Sequence, residues 1–173
     1  MSKRREGRET AVQLLFSREF NPREGEHDLD AFFQLHSADR GVRAHAEELY
    51  RGVASRLEEI DALIVPVLDN FRMERLGGVE RNILRVAVYE MHHCETVPPV
   101  VAINEAIEVA KRFGGEESAR FINGVLDKLK QGLTRPLREA APRVPAPRKA
   151  RAFEHARRLR WRAGRDFSRW VDP

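Results

Sequence analysis

The sequence has little of what stabilises exported or membrane-embedded proteins. It contains a single cysteine, Cys94, in 173 residues, so no disulfide can form within the chain. It has no apolar run of about 18 residues, the length that a membrane-spanning helix requires. No apolar segment follows the basic cluster at its N-terminus, as a secretory signal would need. These absences predict a soluble cytoplasmic protein, long enough for one domain with a sizeable core.

Motifs for catalysis and for metal binding are also missing. The sequence has no Gly-rich phosphate loop with its lysine, and no Ser or Cys within a nucleophile motif. His92, His93 and Cys94 carry metal-binding atoms, but consecutive residues on a helix point about 100 degrees apart. No second ligand pair lies at zinc spacing. We therefore expect a protein that is not an enzyme, with no metal site and no cofactor.

No convincing strand pattern is present, and apolar residues recur instead at helical spacing, so the predicted fold class is all-α. Pro66 removes a backbone donor, and we expect a break in the helical pattern between about Glu58 and Pro66. After Gly77-Gly78, the segment from Val79 to Met91 is apolar almost all round, which indicates an enclosed central helix. The apolar faces of the first three predicted helices are Ala11, Val12, Leu15, Phe16 and Phe20; Leu29, Phe32, Phe33 and Leu35; and Val42, Ala46, Leu49, Val53, Leu57 and Ile60.

The stretch from Val97 to Lys130 predicts two further amphipathic helices. A Pro-Pro pair suits the entrance of the first helix, and Gly114-Gly115 can adopt the left-handed conformation that ends it. Glu116 and Glu117 then place negative charge in the first turn of the second helix, where it favours the helix dipole.

Three residues in this stretch do not follow from amphipathicity. Asn104 and Asn123 are poor helix formers, and Gly124 inside a helix costs about 1 kcal/mol relative to alanine. One interpretation is that the asparagines hydrogen-bond across the helical hairpin while Gly124 permits close helix approach. The other interpretation is that these residues border a ligand surface.

The net charge of +4 is the sum over two segments of the chain whose net charges have opposite signs. Residues 135–173 hold 12 Lys+Arg against 4 Asp+Glu, whereas residues 1–134 hold 19 against 23. We therefore expect a mildly acidic domain over 1–134 and a basic tail over 135–173. The tail begins with a proline-rich linker, could form a helix over 149–163, and interleaves Trp161, Phe167 and Trp170 with arginines. Such a tail either binds nucleic acid as an accessory arm or docks onto the acidic domain.

A second basic cluster lies at the start of the first helix and consists of Lys3, Arg4, Arg5 and Arg8. Cations at a helix N-terminus oppose the helix dipole, so helix stability does not explain them. Contact with the phosphates of a nucleic acid does explain them.

Three segments resemble one known family in matching order. The stretch AINEAIEVAKRFGGEESARFINGVLDKLK resembles the C-terminal signature of the NusB family. GRETAVQLLFSREF, from Gly7 to Phe20, resembles the first helix of that family, and VERNILRVAVYEM, from Val79 to Met91, resembles its middle segment. The resemblance covers residues 4 to about 130, and residues 135–173 match nothing in the family.

The resemblance implies a compact bundle of about seven helices in two packed halves. It also implies a transcription antitermination factor that binds a boxA-like single-stranded RNA together with ribosomal protein S10 (NusE). Such a factor acts in the RNA polymerase antitermination complex on rRNA transcription. Carried over position by position, the RNA-binding residues would be Lys3, Arg4, Arg5, Arg8, Gln13, Phe113, Glu117 and Phe121, and the S10-binding residues Phe16, Glu74 and Glu80. Family members often have aspartate where this chain has Glu117. For Phe113 and Phe121 the alternative to RNA contact is packing in the core.

Two alternatives remain open at the level of sequence. A similar helical domain precedes the catalytic part of some RNA cytosine methyltransferases, so the chain could be an accessory RNA-binding domain of such a system. No cofactor-binding sheet follows Leu133, and a separate catalytic chain would be needed. The chain could also be a homodimeric helical scaffold whose RNA surface is masked.

Overall fold

A computed structural model describes residues 2–20, 27–36, 39–68, 72–134 and 136–137. These residues form helices and no strands, which confirms the predicted all-α class. The helices are α1 (Lys3–Phe20), α2 (His27–His36), α3 (Arg40–Ala54), α4 (Leu57–Ile64), α5 (Gly78–His93) and α6 (Pro99–Leu129). Short 3-10 turns span Val65–Val67, Met73–Arg75 and Lys130–Gly132. Within this described part, no helix is long and apolar enough to cross a membrane.

The helices pack as two halves that meet at α5. In the first half α1 lies against α3, and in the second α5 lies against α6. Helix α5 also contacts α1, α3 and α4, which places it at the centre, as its sequence predicted. The side chains of Ile83, Leu84, Val88 and Met91 are almost completely buried.

Helix α3 begins at a side-chain cap. The carboxylate of Asp39 accepts hydrogen bonds from the backbone N–H groups of Gly41 and Val42, at 2.7 and 3.1 Å. The predicted apolar face of α3 is buried from Val42 to Val53, but Leu57 is 38% exposed and belongs to α4.

The break predicted between about Glu58 and Pro66 is confirmed, because α4 ends at Ile64 and Pro66 lies in the 3-10 turn that follows it. An earlier break was missed. Helix α3 ends at Ala54, where the Ser55 hydroxyl donates to the carbonyl of Gly52 at 3.1 Å and the chain turns at 55–56. A second correction concerns α2, where Leu35 is 83% exposed and takes no part in the core.

Helix α6 has two limbs separated by a kink. Gly115 has a φ of 73° and a ψ of −166° inside the helix, a positive-φ conformation that is open essentially to glycine alone. The glycine pair therefore ends the first limb as predicted, although its ψ is not that of the left-handed helical conformation. With the two limbs counted separately, the described residues form seven α-helices, in agreement with the expected number of about seven. Leu126 and Ile122 on the second limb are fully buried.

A backbone hydrogen bond connects Leu137 to the start of α6. The Val100 N–H donates to the Leu137 carbonyl at 3.1 Å. The predicted linker, the helix over 149–163 and the aromatic residues of the tail lie outside the described residues.

Candidate nucleic-acid interface

Lys3 and Arg4 point outward at the N-terminus of α1. The Lys3 ammonium lies 2.7 Å from the carboxylate of Asp39, and this hydrogen bond raises the pKa of Lys3. Arg4 is exposed, and no carboxylate of the described residues pairs with it. These two cations are therefore accessible to an anion in solvent.

Arg5, in the first turn of α1, connects this turn to α6 through an ion pair. Its Nε and Nη2 atoms donate to the two oxygens of Glu105 at 3.0 and 2.8 Å. The hydrogen bond from Arg5 lowers the pKa of Glu105 and keeps the carboxylate charged. Arg5 is half-buried, so its main role in this geometry is to fix the basic segment against α6.

Arg8 does not fit the predicted role of phosphate ligand. Its side chain is 4% exposed and donates to both oxygens of Glu90, at 2.8 and 2.7 Å, while Glu90 is 1% exposed. Glu105 lies 3.5 Å from the remaining nitrogen of the guanidinium. A buried guanidinium with these partners has no free edge for a phosphate, and Arg8 instead joins α1 to α5.

An apolar groove of about 430 Å³ lies along the solvent side of α1. It brings Gln13 and Phe113, predicted to bind RNA, next to Phe16, predicted to bind the protein partner. The rings of Phe16 and Phe20 contact each other in the groove at a tilt of 58°, with centroids 5.0 Å apart, and Phe20 is 70% exposed. The lining is completed by Val12, Ser17, Phe20, Phe32 and Val79.

The groove contains residues that the sequence analysis did not select. Phe20 was predicted on the apolar face of the first helix but in no site, although its spacing of four residues from Phe16 could have placed both rings together. Phe32 comes from α2, and only the packing of α2 near α1 places it in this groove.

The two predicted acidic partner residues have different environments. Glu74 is exposed in the 3-10 turn before α5. Glu80 is half-buried in the first turn of α5, where its carboxylate accepts a hydrogen bond from the Ser118 hydroxyl at 2.8 Å. Glu80 thus connects α5 with the second limb of α6, whereas Glu74 is free to meet a partner's charge.

The second limb of α6 carries the remaining predicted RNA residues. Glu117 is exposed just after the kink, and Phe121 is half-buried against the hydrophobic core. Asn104 and Asn123 are both exposed, and a Cβ at Gly124 would have no atom within 4 Å apart from its chain neighbours and the backbone of its own helix. The interpretation of these three residues as contacts within a helical hairpin is therefore wrong.

Comparison with known proteins identifies the family. Residues 5–131 match the model of the NusB family. The chain is 43% identical over 136 residues to the transcription antitermination protein NusB of Desulfotalea psychrophila, covering 75% of this chain and 96% of that protein. It is 41% identical over 127 residues to the NusB of Desulforudis audaxviator, covering 73% of this chain and 92% of that protein.

Solved structures agree with this result. The fold matches T. maritima NusB with a TM-score of 0.66 and 36% identity, over 76% of this chain and 92% of that one. It matches a structure of the antitermination factors NusB and NusE in complex with double-stranded RNA with a TM-score of 0.68 and 25% identity, over 77% of this chain and 99% of that one. On the family match and on relatives above 40% identity, the chain belongs to the NusB family.

Proposed function

We propose that this protein is a transcription antitermination factor that binds boxA-like single-stranded RNA together with ribosomal protein S10 (NusE). It works in the cytoplasm, within the RNA polymerase antitermination complex on rRNA transcription, by binding and not by catalysis. The observation that carries the proposal is the basic segment at the start of α1, where Arg4 faces solvent while the bidentate Arg5–Glu105 pair holds the segment in place. A cation held at a fixed position on a helix suits the ordered phosphates of a nucleic-acid backbone.

The proposed RNA surface runs from this segment along α6. Lys3 and Arg4 contact phosphates, and Arg5 positions them. Phe113 and Phe121 each present a half-buried ring on which a splayed base can stack, and the exposed carboxylate of Glu117 can accept from a base amino group. Arg8 is left out of the contacting set because its guanidinium is occupied by Glu90.

The role of Lys3 and Arg4 is tested by the salt dependence of RNA binding. The double variant Lys3→Ala, Arg4→Ala removes two phosphate contacts. It should flatten the plot of log affinity against log salt by roughly 1.4, since each contact to a single strand contributes roughly 0.7. The measurement is fluorescence anisotropy with a labelled single-stranded boxA RNA, in the presence of S10, over a series of salt concentrations.

The matched control for this test is Arg72→Ala, Arg75→Ala, which removes the same charge from two exposed arginines. These lie near the opposite end of α1, because Arg81 bonds both to the Met73 carbonyl and to Glu19. Residues 3 and 19 of a helix are roughly 24 Å apart. Equal slopes for the parent and the Lys3, Arg4 variant would remove these residues from the interface.

The proposed S10 surface is the part of the apolar groove formed by Phe16, Phe20 and Phe32, with Glu74 outside the groove. Gln13 and Phe113 line the same groove and belong to the proposed RNA surface. A groove with exposed aromatic side chains suits an apolar segment of a partner, and an exposed carboxylate suits a basic ribosomal protein. Glu80 contributes mainly by holding α5 to α6 through Ser118.

A charge reversal at Glu74 tests this surface. Glu74→Lys should weaken S10 binding by about threefold to tenfold at low salt, with a smaller effect at high salt, because rim charges act mainly on the rate of association. The melting temperature should not change, since Glu74 is exposed. Calorimetry of S10 binding gives the affinity, and Glu58→Lys on the exposed side of α4 is the control. Unchanged S10 affinity for Glu74→Lys would exclude Glu74 from the interface.

We also propose that the tail, residues 135–173, is an accessory arm for RNA. Its net charge of +8 is opposite to that of the domain and suits the phosphates of RNA next to the boxA element.

A further inference from the structure

The second limb of α6 has a solvent-facing surface that its packing does not explain. Gly124 lies in the interior of this limb, where glycine disfavours the helix. A Cβ at this position would have no atom within 4 Å apart from its chain neighbours and the backbone of its own helix, so neither helix approach nor a tight turn requires glycine here. The backbone conformation does not require it either, since Gly115 is the only described glycine with a positive φ.

Two polar side chains surround the bare backbone at Gly124. Arg120 and Asn123 are both exposed, and within the described part of the chain no carboxylate pairs with Arg120. On a helix surface Arg120 is the neighbour of both 123 and 124, at spacings of three and four residues. Glu117 lies one turn before Arg120, so this surface is continuous with a residue of the proposed RNA interface.

We propose that Arg120, Asn123 and Gly124 extend the RNA-binding surface along the second limb of α6; this inference rests on the proposed function. Gly124 lets a ribose or a base come into contact with the helix backbone, which any side chain would prevent. The Asn123 amide offers a donor and an acceptor to the edge of an unstacked base. Arg120 binds the adjacent phosphate.

The chemistry of this surface favours RNA over a protein partner. The large apolar side chains that are exposed in the described residues lie elsewhere, at Phe20, Leu35, Leu57, Val65, Val101 and Leu137. A protein interface of useful affinity needs such anchors at its centre. Glu116 and Glu117 repel phosphate at the end of the limb near the kink, which places the phosphate contact at Arg120 and leaves Glu117 for base amino groups.

The test is Gly124→Ala in the full chain, because it separates helix stability from binding. Alanine should raise the melting temperature by a few degrees, since it favours the helix and meets no steric obstacle. It should also weaken binding to a labelled single-stranded boxA RNA, with S10 present, by about fivefold or more, because the methyl group occupies the place of the ligand. Gly132→Ala is the matched control, because a Cβ there also meets nothing within 4 Å, and it should leave RNA affinity unchanged.

Asn123→Ala and Arg120→Ala complete the experiment. Asn123→Ala should reduce the preference for boxA RNA over a scrambled RNA. Arg120→Ala should weaken the binding of both RNAs and flatten the plot of log affinity against log salt by about 0.7. If the parent binds boxA RNA and Gly124→Ala binds it equally well, this inference is wrong while the proposed function stands. If the parent binds no RNA with S10 present, the proposed function fails and the inference fails with it. Weaker S10 affinity of Gly124→Ala without RNA would overturn the inference in favour of a protein surface.

Discussion

Replacing Glu90 by alanine should lower the free energy of unfolding by about 3 to 5 kcal/mol. The Arg8–Glu90 pair is buried and bidentate, so the substitution leaves a guanidinium in the interior without its main partner. Glu105, at 3.5 Å from Arg8, offers partial compensation only, because its own oxygens already bond to Arg5. Denaturant titration followed by circular dichroism measures the effect.

Two further variants make this result specific. Glu108→Ala removes the same charge from a half-buried position of α6, where it pairs with partly exposed cations, and should change the stability by less than about 1 kcal/mol. The double variant Arg8→Met, Glu90→Leu replaces both charges by apolar side chains and should regain most of the lost stability. A loss below about 1 kcal/mol for Glu90→Ala would mean that the pair is not buried as described.

Removal of the tail after Leu137 should flatten the salt dependence of RNA binding more than any single substitution. Residues 138–173 carry 11 Lys+Arg and 4 Asp+Glu, a net charge of +7. Loss of even four phosphate contacts would flatten the plot of log affinity against log salt by about 2.8. Between 50 and 200 mM salt, the affinity of the shortened chain would then fall by roughly fifty-fold less than that of the parent. The cut leaves the bond between Val100 and Leu137 intact, so the melting temperature should not change.

The competing hypothesis for the tail predicts the opposite pair of results. A tail that docks onto the acidic domain would stabilise it and hide RNA-binding surface. The shortened chain would then melt at a lower temperature and bind RNA at least as well as the parent. A full-length chain with glutamine at positions 157, 158, 160 and 162 keeps Trp161, Phe167 and Trp170, and so separates the contribution of charge from that of stacking.

The helices could be predicted because their signals are local. The spacing of Val42, Ala46, Leu49 and Val53 specifies a buried face, and Gly115 marks the kink of α6. The end of α3 was missed because Ser55 competes for a backbone carbonyl through one hydroxyl group, a signal too weak to outweigh an apolar pattern that continues to Ile60.

The candidate site was less predictable, because its geometry depends on contacts between distant residues. Arg4 and Arg8 look alike in a basic cluster, but the structure exposes the first and buries the second against Glu90, 82 residues later. Gln13, Phe16 and Phe113 were selected for two different ligands, and only the packing around α1 places them in one groove. Gly124 had two interpretations until the surrounding space excluded one of them.

The long-range ion pairs of α1 have a consequence for biosynthesis. Arg8 and Arg5 are made first but find their partners only 82 and 100 residues later. At about 5 to 20 residues per second, a ribosome needs roughly 4 to 16 s to add Glu90 after Arg8. During this interval α1 can meet α3 but carries a cation without its counter-charge. We therefore expect the nascent N-terminal half to be open to chaperones and proteases until α5 and α6 have been made, and we expect the two halves to fold together.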